Sequence, residues 1–345
     1  MSFATRVIAW QQVHGRHDLP WQHDRDAYRI WLAEVMLQQT QVQTAIPYYE
    51  RFLSRFPTMA ILAAAELESV LELWSGLGYY ARARNLHRCA QLVVAERGGQ
   101  FSADPAENAK LPGIGRSTAA AISVFAFSTR AAILDGNVRR VLTRCFAPAG
   151  SGPTQRELWA LAESLLPRKG IEAYTQGLMD LGATVCTRHQ PACSGCPLRA
   201  ICIAQRDGRQ AELPPPRAGK SSPQRTSSLL LLTDGRRVLL ERRPPFGIWG
   251  GLWTLPEMVG DSVRANARRY GCCPLRTELL GPFAHTFTHF HLVMTIHYAE
   301  VAAAPAMVAQ GAWQWLSLAD VATAALPAPI RRLLLTLPVQ PSSTV

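Results

Sequence analysis

The spacing of apolar residues divides this chain into two parts that must fold differently. Between residues 1 and 204, apolar residues recur every three or four positions, as in AYRIWLAEVML (27–37), ARARNLHRCAQLVVAER (81–97) and RSTAAAISVFAFS (116–128). This spacing is typical of helices, and short Gly- or Pro-containing spacers separate the segments. We therefore predict that residues 1–204 form an all-helical domain.

The pattern changes after residue 204. Residues 205–225 are rich in Pro, Gly, Ser and charged side chains and have no periodicity, which predicts an interdomain linker. Beyond it, two apolar runs flank the Asp234-Gly235 pair, a dipeptide typical of β-hairpins. Residues 289–301 alternate polar and apolar, as strands do. Residues 226–345 are therefore predicted to form a smaller α+β domain.

The charge of the chain narrows its function class. The 345 residues carry a formal net charge of +11. A basic balance of this size favours an anionic partner, nucleic acid first, although a merely solvated basic surface explains it equally well. The sequence has no apolar stretch of transmembrane length and no secretory signal, so we expect a cytoplasmic protein that does not span a membrane.

Four cysteines crowd into one short segment. Cys186, Cys193, Cys196 and Cys202 have the spacing C-x6-C-x2-C-x5-C. Four thiolates in one irregular loop can hold a tetrahedral zinc ion or a four-iron cluster. Structural zinc usually has two CxxC pairs, so the spacing modestly favours iron–sulfur, and chance clustering is a third alternative.

The segment LPGIGRSTA (111–119) places Gly113 and Gly115 in a tight turn between two helices. Glycine allows the backbone to approach a phosphate closely, and the helix starting near Arg116 offers free N–H groups. Such a helix–hairpin–helix grips DNA without reading its sequence. An ordinary turn between helices would need the same glycines.

Two carboxylates are candidate catalytic groups. Glu34 is surrounded by apolar residues in IWLAEVML, so its pKa should be raised and it could act as a general acid. Asp135, in ILDGNVRRV, could be an anion beside a positively charged sugar. The structural alternatives are a polar stripe for Glu34 and a helix N-cap for Asp135.

Residues 74–85 combine tyrosines with arginines. Tyr79 is followed by Tyr80, and Arg82 and Arg84 come next in WSGLGYYARARN. Aromatic side chains interleaved with arginine suit stacking on bases and contact with phosphates. A helix start with exposed arginines is the structural alternative.

Taken in order, these motifs resemble the MutY-type adenine DNA glycosylases, a helix–hairpin–helix family related to endonuclease III. The matching segments of the first domain are PWQ (20–22), WLAEVMLQQTQV (31–42), GLGYYARARNLH (76–87), LPGIGRSTA (111–119), LDGNV (134–138) and the cysteine loop 186–202. The segments RRPPFGIWGGLWTLPE (242–257) and FAHTFTHFHL (283–292) resemble the family's Nudix-like C-terminal domain. The resemblance implies a mainly α glycosylase domain with an iron–sulfur loop and a smaller α+β Nudix-like domain.

The resemblance also implies roles for individual residues. Glu34 would protonate adenine, Asp135 would stabilise the oxocarbenium-like sugar, and Asn137 would orient groups nearby. Tyr79 would wedge into the duplex and Gln39 would fill the place of the extruded base. The four cysteines would ligate a [4Fe–4S] cluster. Residues expected to contact DNA are Gln39, Tyr79, Arg82, Arg84, Gly113, Gly115 and Arg116.

Two departures from related patterns refine this expectation. Ser117 stands where endonuclease III has its lysine nucleophile, so we expect a glycosylase without appreciable strand cleavage. The helix after residue 257 lacks the carboxylates of a Nudix hydrolase, so the second domain is expected to read 8-oxoguanine through Phe287, Thr288 and His289. Thr288 replaces the family's usual serine.

The expected function is hydrolysis of adenine from duplex DNA in which it pairs with 8-oxoguanine or guanine, by a monomeric enzyme. An endonuclease III-like lyase is one alternative, and Ser117 argues against it. A redox-sensing iron–sulfur protein that binds DNA without catalysis is the other, and it would leave Glu34 and Asp135 idle.

Overall fold

The computed structural model describes residues 1–147, 153–215, 222–245, 247–287, 289–304 and 312–337. The chain forms two compact units. The first comprises the described parts of Met1–Ala65 and Asn85–Gly219, and the second those of Glu66–Arg84 and Lys220–Val345. None of the helices in the described ranges is long and apolar enough to cross a membrane.

Helices make up the N-terminal part of the chain, and no strand occurs in the described residues of the first unit, as predicted. In chain order they are α1 (Phe3–His14), α2 (Ala27–Leu37), α3 (Val42–Arg55), α4 (Met59–Ala64), α5 (Leu67–Trp74), α6 (Ala81–Arg97), α7 (Pro105–Asn108), α8 (Arg116–Phe127), α9 (Gly136–Phe146), α10 (Gln155–Ser164), α11 (Ile171–Asp180) and α12 (Ile203–Arg206).

Side-chain caps start several of these helices. The Asp26 carboxylate accepts from the Tyr28 N–H and begins α2. The predicted capping box at α10 is confirmed, because Thr154 and Glu157 each accept from the other's backbone N–H. At its C-terminal end α11 continues into a π-helical turn, Leu181–Val185, which delivers the chain to Cys186.

The core of the first unit lies where α1, α8, α9 and α11 meet. Val7, Val124, Val138, Leu142 and Leu181 are fully buried there. The close approach of α1 and α11 depends on a glycine, since a Cβ at position 177 would lie 2.8 Å from the Val7 side chain. Helix α2 packs on α8 and α3, which sets the position of Glu34.

The second unit is built on a mixed sheet. Its strands are β1 (Gln224–Thr233), β2 (Arg237–Arg242), β3 (Trp253–Thr254), β4 (Pro274–Thr286), β5 (His291–Val301) and β6 (Trp313–Ser317), with helices α13 (Val263–Arg268) and α14 (Ala328–Leu335). The order is β3-β2-β1-β5-β4, and β6 also pairs with β2. β1 and β5 are parallel, whereas β1 and β2 form the antiparallel hairpin predicted at Asp234-Gly235.

Candidate active site

A pocket of about 370 Å³ opens in the first unit, within the size range of small-ligand sites. Its wall combines apolar and aromatic side chains, including Trp21, Leu37 and Phe125, with polar groups such as Gln176. Glu34, on α2, is the carboxylate that α2 contributes to this wall. A flat heterocyclic base could therefore lie against aromatic surface with a carboxyl group beside it.

Removal of the Glu34 carboxyl from water raises its pKa to about 8, and the negative charge of Asp135 adds to the rise. Trp31, Val35 and Met36, its neighbours on α2, are all buried, whereas Glu34 itself is half-buried in the pocket wall. Near neutral pH the carboxyl therefore keeps its proton. A protonated carboxyl in a pocket is chemically able to donate its proton to a bound base.

Asp135 caps helix α9. Its Oδ1 accepts from the Val138 N–H at 2.7 Å, and its Oδ2 accepts from Asn137 Nδ2 at 3.4 Å. Burial raises the pKa of Asp135, while these hydrogen bonds and Arg140 oppose the rise. Asp135 lies near Glu34 but is not among the residues that line the pocket in the described part of the chain. The N-cap alternative is thus realised, and Asp135 lies near the Glu34 carboxyl.

Ser117 has a structural hydrogen bond. It lies in the first turn of α8, and its Oγ accepts from the Leu134 N–H at 2.9 Å. Because Leu134 precedes Asp135, this bond ties the hairpin to the segment that carries the second carboxylate.

The glycine turn has the geometry of a helix–hairpin–helix. Gly113 adopts φ +75°, and a Cβ there would lie 2.8 Å from Asn85 Cβ. Gly115 is the N-cap of α8 and is exposed, with open space around it. Arg116 packs over the Trp159 ring and forms an ion pair with Glu163, so part of its charge is already used. The exposed backbone N–H groups of this turn remain suited to a phosphate.

Arg140 was not anticipated from the sequence. Its Nη2 donates to Asn137 Oδ1 at 2.9 Å and to the Gly182 carbonyl at 2.7 Å, and its Nε donates to the Cys186 carbonyl at 2.7 Å. One side chain therefore connects the segment after Asp135 with the start of the cysteine loop. Its place three residues after Asn137 on the same helix is the signal that could have indicated this role.

The four loop cysteines line one small cavity of about 20 Å³. All of them are free thiols, and Arg144 Nη1 donates to Cys186 Sγ at 3.4 Å. A hydrogen bond with Cys145, a buried thiol on α9, lowers the pKa of Cys202. Among the described residues, no three His, Cys, Asp or Glu side chains converge closely enough to hold a metal ion. Four sulfurs around one cavity are a thiolate donor set of the kind that holds zinc or an iron–sulfur cluster elsewhere.

The second unit carries the aromatic and arginine motif. Tyr79 adopts φ +50° in the turn between α5 and α6 and is 45% exposed. Arg82 is buried, and its Nη2 donates to the carbonyls of Leu77 and Gly78, each at 3.2 Å. Arg84 Nη1 donates to the Gly250 carbonyl at 2.6 Å. Both arginines are therefore engaged within the fold.

The expected lesion-reading residues follow β4. The Phe287 ring stacks on Phe290 with centroids 4.4 Å apart, and His285 meets Phe287 edge-on at 4.7 Å. The His289 ring lies 5.5 Å from that of Phe290. Thr288 lies outside the described residues. In the first unit, Gln39 is exposed just after α2 with φ +59°.

Comparison with known families accounts for both parts of the chain. Residues 32–168 match the model of the HhH-GPD superfamily base excision DNA repair proteins, and residues 228–336 match the NUDIX domain. Fold and matches together define a base excision repair enzyme of the helix–hairpin–helix class with a Nudix-like C-terminal domain. The predicted fold class is thereby confirmed.

The chain belongs to the adenine DNA glycosylase family. It is 32% identical to the adenine DNA glycosylase of Buchnera aphidicola subsp. Baizongia pistaciae (strain Bp) over 335 residues, covering 96% of this chain and 95% of that protein. It is 33% identical to the Mus musculus adenine DNA glycosylase, covering 96% and 77% of the two chains. The chain is therefore a DNA N-glycosylase of base excision repair that acts on adenine.

Solved structures of DNA repair enzymes share part of this fold. A thermostable thymine-DNA glycosylase superposes with a TM-score of 0.56 at 27% identity, covering 59% of this chain and 95% of that one. An endonuclease III–DNA complex gives a TM-score of 0.52 at 21% identity, covering 59% and 94%, which shows the fold alone.

Proposed function

We propose that the enzyme hydrolyses the N-glycosidic bond of adenine paired with 8-oxoguanine or guanine, with Glu34 as the general acid. The observation that carries this proposal is the pocket carboxyl whose pKa is about 8. Protonation of adenine turns it into a neutral leaving group, which lowers the barrier to cleavage of the bond to the sugar.

Asp135 is the proposed anion beside the sugar. Cleavage leaves positive charge on the sugar, and a nearby carboxylate stabilises that charge until water adds to the sugar carbon. The Glu34 carboxylate, having given its proton to adenine, is proposed to position that water. The hydrogen bonds from the Val138 N–H and from Asn137 favour the ionised form of Asp135. The proposed role of Asn137 is to hold this carboxylate, with Arg140 holding Asn137 in turn.

The proposed reaction ends at base release. A lyase needs an amine that attacks the sugar and forms an imine. Ser117 offers a hydroxyl, and that hydroxyl accepts a hydrogen bond from the Leu134 N–H. We therefore expect a monofunctional glycosylase that leaves the strand intact.

The loop 186–202 is the proposed site of a [4Fe–4S] cluster held by Cys186, Cys193, Cys196 and Cys202. The support is the common cavity and the resemblance to iron–sulfur glycosylases. When bound, the cluster would supply a rigid centre that cross-links the loop. Arg144 would orient Cys186 for binding, and Arg140 holds the backbone of the same residue.

Recognition of the mispair is assigned to two sets of residues. Phe287, Thr288 and His289 are the proposed readers of 8-oxoguanine, supported by the aromatic cluster around Phe287. Tyr79 and Gln39 are the proposed groups that enter the duplex while adenine is extruded. The helix–hairpin–helix turn around Gly113 and Gly115 is the proposed contact with backbone phosphates.

The test is a single-turnover base-release assay on duplexes that pair adenine with 8-oxoguanine, guanine or thymine. The intact enzyme should release adenine fastest opposite 8-oxoguanine and leave the pair with thymine untouched. Glu34→Gln should abolish release while DNA binding persists. Borohydride should trap no covalent adduct. If Glu34→Gln retains activity, Glu34 is not the general acid. If adenine is released at equal rates opposite 8-oxoguanine and guanine, the proposed preference for the lesion is wrong.

A further inference from the structure

Residues 66–84 fall within the stretch that matches the helix–hairpin–helix family, yet they fold with the C-terminal domain. The family match covers residues 32–168, whereas Glu66–Arg84 belongs to the second unit together with the chain after residue 220. This segment contains α5, the turn 75–80 and the first residues of α6. We call residues 75–80, which include Tyr79, the wedge turn.

The base of the wedge turn is hydrogen bonded to the segment that leads into α14. Ser75 Oγ donates to the Leu326 carbonyl at 3.2 Å, and the Tyr80 hydroxyl donates to the same carbonyl at 3.3 Å. Arg331 of α14 donates to Ser75 Oγ and also to the Ala324 carbonyl at 2.7 Å. Ser75 and Leu326 are buried, so water competes little for these bonds.

A second set of contacts holds the two helices on either side of the wedge turn. The buried Trp253 of β3 donates its indole N–H to the Glu68 carboxylate of α5. Arg84, at the start of α6, donates to the Gly250 carbonyl at 2.6 Å. Leu71 packs beside Gly251, where an added Cβ would lie 3.7 Å from Leu71 Cδ1.

The wedge turn is also braced from within. Trp74 Nε1 donates to the Gly78 carbonyl at 3.1 Å, and Arg82 donates to the Leu77 and Gly78 carbonyls. The Arg82 guanidinium lies 5.3 Å from the Trp74 ring and 5.5 Å from the Tyr79 ring. The wedge turn is therefore hydrogen bonded both internally and at its base. A shift of the C-terminal segments that hold its base should shift Tyr79 as well.

We propose that the C-terminal domain has a second role besides lesion reading, which is to position Tyr79 for insertion into the duplex. The positioning residues are Arg331, Trp253 and their partners Ser75 and Glu68. This inference rests on the wedge role proposed for Tyr79. If the C-terminal domain only reads the lesion, loss of these contacts should not matter opposite undamaged guanine. If it supports the wedge, excision should fall on that substrate as well.

The experiment uses full-length Arg331→Met, which removes the donor to Ser75 and keeps an unbranched side chain. Its single-turnover excision of adenine opposite guanine should fall by about tenfold to a hundredfold, as misplacement of a positioning group does. Unstacking of 2-aminopurine placed at the adenine position should slow in parallel. Arg264→Met, the same change at an exposed arginine of α13, is the matched control and should match the parent.

A double-mutant cycle with Tyr79→Ala separates positioning from general damage. Arg331→Met should lower excision in the parent and add nothing in the Tyr79→Ala background, whereas any loss of thermal stability should appear in both. Trp253→Phe removes the indole N–H donor to Glu68 and keeps an aromatic side chain. Tyr80→Phe removes the hydroxyl that contacts Ser75 Oγ, the Gly76 N–H and the Leu326 carbonyl. Both variants should show the same pattern more weakly and serve if Arg331→Met does not fold.

The two proposals fail in different ways. If Tyr79→Ala leaves excision unchanged, the wedge role is wrong and the positioning role goes with it. Two other results would overturn only the positioning role. In the first, Tyr79→Ala slows excision but the Arg331 and Trp253 variants excise adenine at the parent rate. In the second, the reductions in rate caused by those variants multiply with the reduction caused by Tyr79→Ala.

Discussion

Replacement of Glu34 by glutamine should stabilise the folded enzyme at alkaline pH while it abolishes catalysis. The carboxyl has a pKa of 4.5 when solvated and about 8 in the fold. Between these values the folded state holds a proton that the unfolded state has released. The free energy of unfolding contributed by Glu34 therefore falls as the pH rises through this window.

The magnitude follows from the same two values. Each pKa unit corresponds to about 1.4 kcal/mol, so the rise from 4.5 to about 8 amounts to about 5 kcal/mol at most. Glutamine resembles the protonated acid in size and does not titrate. Parent and Glu34→Gln should thus differ little in stability near pH 4. By pH 7 the variant should be more stable by about 3 kcal/mol, rising toward about 5 kcal/mol above pH 8.

Urea unfolding followed by circular dichroism, at a series of pH values, measures this difference. Glu50→Gln, on the exposed side of α3, controls for the general loss of one negative charge. The excision rate gives an independent check, since a general acid must be protonated. The parent rate should drop about tenfold per pH unit above about pH 8. A stability difference that is constant from acid to alkaline pH, or a rate that stays flat to about pH 10, would refute the reasoning.

Three further predictions concern the groups around this acid. Gly113→Ala should lower the free energy of unfolding by about 1–3 kcal/mol, because it forces a Cβ into φ +75° against Asn85. The variant should also bind any duplex more weakly, and unchanged affinity would contradict the phosphate role. Arg140→Met should slow excision at least about tenfold and lower the iron content of the purified protein, since it removes the hydrogen bonds to Asn137 and to the Cys186 carbonyl. A normal iron content by elemental analysis would argue against a link between Arg140 and the cysteine loop. Ser117→Ala should lower the free energy of unfolding by about 1–2 kcal/mol and leave base release measurable, because the Ser117 hydroxyl accepts a hydrogen bond from the Leu134 N–H. Complete loss of base release would instead indicate that the hydroxyl is catalytic.

Local patterns predicted most of the helical domain. The bounds of α2 and α6 coincide with the periodic segments 27–37 and 81–97, because a helix that buries one face repeats its apolar residues at helical spacing. The Asp234-Gly235 turn and the alternating strand β5 were equally readable. In each case the residues that determine the element lie within a few positions of one another.

Strand β4 was missed for a physical reason. Pro274–Thr286 lies at the edge of the sheet, and most of its side chains are exposed on both faces. Leu275 and Leu279 are 72% and 64% exposed, so the strand has no buried face to impose alternation. A strand that is held mainly by its backbone bonds to β5 leaves little trace in the order of polar and apolar residues.

The placement of residues 66–84 could not be read from the sequence either. Their helical pattern continues that of the segments around them, and the partners that bury Ser75 and Trp253 lie some 180 to 250 residues away along the chain. Since periodicity reports only that a face is buried, it does not tell which part of the chain covers that face. A fragment that ends near residue 225 would therefore lose the support of the wedge turn together with the lesion reader, and its defects could not be assigned to reading alone.

The protonation states of Glu34 and Asp135 also depend on neighbours that the sequence pattern does not reveal. Both are withdrawn from water, which raises both pKa values. Asp135 has the Val138 N–H, Asn137 and Arg140 to oppose that rise, whereas the charge of Asp135 itself adds to the rise at Glu34. Glu34 therefore keeps its proton near neutral pH, whereas the hydrogen bonds to Asp135 favour its ionised form. This asymmetry supports the proposed roles of Glu34 as acid and Asp135 as anion.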